Sequence, residues 1–144
     1  MRLHQSIINL KKKVIEKSLE FIQNIKSLNI GYKLLTSYLN NSYFHMENEI
    51  DNLLRGDNSI INIYKKSFSN YYDNKDKINI NEHEKNLESM IEFLDILIQR
   101  DIWNKTESPI DFLYQFLILK KFNETDEKLF YISVNQFLKK NMIH

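Results

Sequence analysis

Apolar residues recur at intervals of three and four along most of this 144-residue chain, the repeat of one face of an α-helix. Leu3, Ile7, Leu10, Val14, Phe21, Ile25 and Leu28 mark one seam, widened by Ile8, Ile15 and Ile22. They predict a first helix from about Gln5 to Leu28, ended by Asn29 and Gly31, the residue types that most readily close a helix. A second helix is expected from about Tyr32 to Leu54, on Leu35, Leu39, Met46, Ile50 and Leu53, with Gly56 as its stop. Asp57 can cap a third that carries Ile60, Ile61, Tyr64, Phe68 and Tyr71.

The run Asp73-Asn74-Lys75-Asp76-Lys77 has no apolar period and reads as a loop. The short alternation Ile78-Asn79-Ile80-Asn81 suits a strand, but no second strand is evident to pair with it. Ile80 is therefore read as a hydrophobic staple before an Asn81 cap, with Glu84 closing a capping box and a fourth helix running to about Trp103. Ser108-Pro109 followed by Asp111 is a helix start, since a hydroxyl cap, a proline in the first turn and an early acid all suit a helix N-terminus. Phe112, Leu113, Phe116, Leu117, Ile118 and Leu119 leave that fifth helix little polar surface, which makes 109–122 the expected central helix. Thr125 caps a sixth, on Leu129, Phe130, Ile132, Val134, Phe137 and Leu138. The predicted fold class is all-α: an irregular single-domain bundle of about six helices over 1–144.

Composition supports a folded domain, with 42% hydrophobic, 27% charged and 12% aromatic residues. No uncharged apolar run approaches the roughly 18–20 residues that cross a bilayer, and the start leads into a charged amphipathic helix. The expectation is a soluble, cytoplasmic protein. Cysteine is absent, which excludes disulfides, thiolate metal sites and a cysteine nucleophile. Alanine, the best helix former, is absent too beside abundant Lys, Asn and Ile, as AT-rich coding would produce. Lysine and asparagine enrichment therefore carries no functional message.

The net charge of +1 conceals a polarity: residues 1–33 hold seven Lys or Arg against two Glu, whereas residues 82–111 hold eight Asp or Glu against three Lys or Arg. Lys11, Lys12, Lys13 and Lys17 offer phosphate contacts, but they come without a nucleic-acid reading motif. Two isolated glycines cannot build a phosphate-cradling loop. His45 and Glu49 stand at a metal-sharing i,i+4 spacing, yet no second histidine completes the set, and His4, His83 and His144 belong to no catalytic constellation. Arg100 and Asp101 beside Trp103 are as readily a helix end as a pocket wall, and Tyr64, Phe68, Tyr71 and Tyr72 read as core packing before they read as a binding surface. The expectation is a protein that is not an enzyme and holds no cofactor or metal.

One feature points to a partner. Glu84, Glu88, Glu92 and Asp95 fall within an arc of roughly 80° on the fourth helix, while Leu87, Met90, Ile91, Leu94, Leu97 and Ile98 fill the neighbouring arc. Like charges at i,i+4 cost a helix about 0.2–0.5 kcal/mol per pair, a small penalty that partner binding would justify; a solvated face relieved by Lys85 is the plainer reading.

By elimination the chain reads as a protein-binding module. In size, helical class and charge it resembles the small immunity proteins that bacteria encode beside their toxins. That resemblance implies neutralisation of a basic, nuclease-like toxin by an acidic helix face seated in its phosphate-binding groove, with electrostatic steering of the encounter. Glu84, Glu88, Glu92 and Asp95 would bear the contact, extended by Asp101, Glu107 and Asp111. The alternatives are a viral or phage regulator that grips a host factor through apolar surface, and a small DNA-binding regulator that uses the Lys11 to Lys17 face. The long first seam also leaves a homodimer open.

Overall fold

The computed structural model describes residues 2–41 and 60–99 and, further on, 111–112, 114–115, 127–128, 131–132, 134–135 and 139. Among the described residues there are four α-helices and one 3-10 turn, and no strand. The helices are α1 (Arg2–Phe21), α2 (Leu28–Asn41), α3 (Ile60–Asn74) and α4 (Ile80–Gln99), with the 3-10 turn at Lys75–Lys77. The all-α class stands. The predicted fifth and sixth helices and Leu54, Gly56 and Asp57 lie largely or wholly outside the described residues, although every described residue from Asp111 to Lys139 is helical. The chain divides into two compact units, Met1–Lys77 and Ile78–His144, and the division falls where the sequence turns from basic to acidic.

In the first unit α1 ends about two turns earlier than its apolar seam suggests. Asn24 and Ser27 stop it: Asn24 Oδ1 accepts the Lys26 amide at 3.0 Å, and Ser27 Oγ donates to the Phe21 carbonyl at 2.8 Å. These short polar side chains satisfy backbone groups that the helix leaves open. The Ser27 carbonyl then accepts the Gly31 amide at 3.0 Å and starts α2.

Gly31, expected as a stop, is thus helical. A Cβ on it would fall 2.7 Å from Ile22 Cγ2, 2.8 Å from Phe21 Cβ and 2.9 Å from the Ser18 carbonyl oxygen. Its role is close approach between α2 and the end of α1. Ser18 lets that approach happen because it is small and satisfies its hydroxyl on its own helix, donating to the Val14 carbonyl at 2.8 Å. The row that becomes buried is accordingly Ile8, Ile15 and Ser18 of α1 with Ile22 just past its end, while Ile7, Leu10 and Val14 of the expected main seam stay exposed.

Tyr32, Leu35 and Leu39 of α2 and Ile60, Tyr64, Phe68 and Tyr71 of α3 complete this core. Tyr32 meets Tyr64 edge-on at 5.8 Å between ring centroids, and Phe68 and Tyr72 continue the stack at 5.2 Å. Such pairs contribute about 0.5–1.5 kcal/mol each beyond their burial. The aromatic cluster is core. Asp73 and Asn74, expected in a loop, complete α3, where Asn74 Nδ2 donates to the Asn70 carbonyl at 2.8 Å.

In the second unit α4 opens two residues earlier than predicted. Asn79 caps it: Asn79 Oδ1 accepts the Glu82 amide at 2.9 Å, and Asn79 Nδ2 donates to Glu82 Oε1 at 3.3 Å. Asn81 is therefore not the cap, Glu84 takes no part in the capping box, and Ile80 is 49% exposed instead of stapling the helix start. The other side of α4 buries Leu87, Met90, Phe93, Leu94 and Leu97 completely, each worth about 1.5–3 kcal/mol in area removed from water. That burial fixes the helix and hence the face it leaves outside.

Candidate functional site

The acidic positions of α4 separate into two environments. Glu84, Glu88 and Glu92 are exposed, together with Lys85, along the side opposite the buried residues. Successive members rise about 6 Å along the axis and turn by about 40°, so the three carboxylates form a shallow row about 12 Å long on a backbone held by the burial beneath it.

Asp95 lies within the same angular arc but is only 9% exposed, and its Oδ2 accepts a hydrogen bond from Gln99 Nε2 at 3.3 Å. It is not part of the solvent-facing row. The arc on a helical wheel records direction around the axis, whereas coverage also depends on position along it, and α4 is covered at Asp95 on the side that is open at Glu84, Glu88 and Glu92.

Of the further acidic residues considered, Asp111 is exposed on a helical segment, and Asp101 and Glu107 lie outside the described residues. His83 is buried at 5% exposure in the first turn of α4. His45, Glu49, Arg100 and Trp103 are outside the described residues. Among the described residues no group of three or more His, Asp or Glu is placed to hold a metal ion, and no helix is long and apolar enough to cross a membrane.

The four lysines at the other end of the chain do not all share a face. Lys11, Lys12 and Lys13 are consecutive and fan around α1 by about 100° each; Lys13 and Lys17 are exposed, and Lys11 and Lys12 are half-buried. Lys17 Nζ stands 3.2 Å from Glu20 Oε2 and 5.7 Å from the Phe21 ring centroid. The exposed apolar residues Ile7, Leu10 and Val14 run beside them, a feature the sequence pattern had assigned to the core.

No protein-family profile, curated protein or solved structure matches the chain.

Proposed function

We propose that this protein is a non-enzymatic binding module that engages a basic protein through Glu84, Glu88 and Glu92, in the manner of an immunity or antitoxin protein occluding a nuclease-like toxin. The observation that carries the reading is the exposed three-glutamate row on a helix whose opposite side is fully buried. A rigid row of like charge is preorganised for a cationic groove, so little side-chain or backbone ordering is left to be done on association. Phosphates follow one another at about 3.4 Å of axis along a strand; carboxylates at about 6 Å meet roughly every second position of a groove shaped for them. Complementary charge also speeds the encounter, and the complex should weaken as salt rises through the Debye range. Asp111 is available to extend the contact.

The test is survival of bacteria that express the C-terminal region of the neighbouring open reading frame, alone, with this chain, and with its Glu84→Lys/Glu88→Lys/Glu92→Lys variant. Rescue by the wild type and not by the triple variant is the expected result. A harmless neighbour removes the immunity reading, and rescue that survives the triple variant removes the glutamate row as its site.

A further inference from the structure

The first helix carries two apolar rows about 100° apart, and the fold uses one. Ile8, Ile15, Ser18 and Ile22 are buried, whereas Ile7, Leu10 and Val14 stand 44%, 63% and 40% exposed. The exposed row, continued by half-buried Phe21, keeps a strict alternation of three and four: Ile7, Leu10, Val14, Lys17, Phe21. In heptad terms Ile7, Val14 and Phe21 take position a, and Leu10 and Lys17 take d.

The charges beside this row select what covers it. Lys13 and Glu20 are both exposed, lie one heptad apart at the same flanking position, g, and have opposite sign. A parallel in-register pair would set Lys17 against its own copy in the seam. In an antiparallel pair g faces g, so a two-fold axis that sets Val14 opposite the partner's Lys17 and Leu10 opposite the partner's Phe21 also sets Lys13 beside the partner's Glu20, and Glu20 beside the partner's Lys13. A surface that is its own complement under a two-fold axis is the requirement for an isologous dimer. An anionic lipid surface would instead meet Glu16 and Glu20 among the lysines.

We propose that α1 docks antiparallel on α1 of a second copy of this chain, through Leu10, Val14, Phe21 and the stem of Lys17, with Lys13 of each copy paired to Glu20 of the other. Ile7 reaches past the end of the partner's first helix onto the turn that follows it. Because α1 is already folded on its other row, association carries no cost of helix formation. The Lys17 to Glu20 ion pair within one chain leaves the carboxylate 68% exposed and open to a second cation.

Sedimentation of the full chain at rising concentration tests the proposal. The expected mass climbs from 17.4 kDa toward twice that value, and Leu10→Glu/Val14→Glu holds it at the monomer with an unchanged far-ultraviolet dichroism spectrum, since both side chains are exposed within the fold. Lys13→Glu and Glu20→Lys should each weaken the dimer about three- to tenfold, and the double variant should regain the wild-type constant. The chain has no cysteine, so mixed Lys13→Cys and Glu20→Cys chains report orientation directly: antiparallel docking gives the mixed disulfide, whereas parallel docking sets each g position against e of the partner and joins neither pair. A wild type that stays monomeric at about 1 mM, a Leu10→Glu/Val14→Glu variant that still dimerises, a dimer that forms no mixed disulfide, or binding to anionic vesicles without self-association would each overturn it.

Discussion

Tyr32 donates its phenolic hydrogen to Ser67 Oγ at 2.8 Å, from a place 35 residues earlier in the chain. Ser67 passes its own hydrogen to the Ile22 carbonyl at 2.6 Å, so one small hydroxyl ties α2 and the end of α1 to α3. Both side chains are almost wholly buried, at 0% and 1% exposure. Ser67→Ala removes the acceptor for a buried phenol and the donor for a buried carbonyl together, and the expected loss is about 2–4 kcal/mol. Tyr32→Phe removes one bond and should cost about 1 kcal/mol. Urea unfolding of the two single variants and the double should reveal strong coupling. Additive losses would show that the hydroxyls act separately.

Gly31 and Ile22 come closer than any residue with a side chain at 31 would permit. Alanine is the better helix former by about 1 kcal/mol, yet two of the three atoms that its Cβ would strike, the Phe21 Cβ and the Ser18 carbonyl oxygen, sit on or next to the backbone of α1 and cannot swing aside. Overpacking of this kind costs typically 1–3 kcal/mol, so Gly31→Ala should be destabilising by a net of up to about 2 kcal/mol. Ile30→Ala, one residue away and 57% exposed, should change stability by less than about 0.5 kcal/mol. Thermal unfolding of the pair separates close approach from a general sensitivity of this turn.

These two relationships also mark what the sequence made legible. The three-and-four spacing announces helices, and α1, α2, α3 and α4 are all where apolar periodicity is strong. It does not say which of two adjacent apolar rows faces inward: Ile7, Leu10 and Val14 outrank Ile8, Ile15 and Ile22 as a seam, and the choice goes the other way because Ser18 and Gly31 allow contact on that side. Glycine at 31 reads as a stop by propensity and acts as a contact by packing. The acidic arc was visible from residue 84 to residue 95, but burial along the helix axis is a tertiary property, and it removes Asp95 from the face that Glu84, Glu88 and Glu92 present.

The start of α4 offers a sharper case, because the sequence contains two overlapping boxes, Asn79 with Glu82 and Asn81 with Glu84. The first is formed, with Asn79 Oδ1 2.9 Å from the Glu82 amide nitrogen. Asn79→Ala should therefore lower stability by about 1 kcal/mol, and Asn81→Ala, exposed inside the helix, should be neutral or slightly stabilising, since alanine favours helix interiors. Chemical denaturation of both variants decides between the boxes; equal losses would refute this assignment of the cap.

Alkaline pH should unfold the first unit by way of its buried phenols. Burial pushes the Tyr32 hydroxyl well above its ordinary value, against the opposing pull of the Ser67 hydrogen bond, and burial likewise raises Tyr64, helped by Tyr32 and Tyr72 nearby. In the unfolded chain these phenols ionise near pH 10. Below that pH both states keep the protons and stability is independent of them. Above it the unfolded state releases protons that the folded state retains, so stability falls with each further unit by up to about 1.4 kcal/mol per phenol. Absorbance near 295 nm should show Tyr32 and Tyr64 failing to ionise with the exposed tyrosines, then appearing together as helical dichroism is lost. Tyr64→Phe should reduce the steepness of that alkaline limb while leaving its stability at pH 7 less affected, and a limb equally steep in Tyr64→Phe would mean that other groups carry the transition.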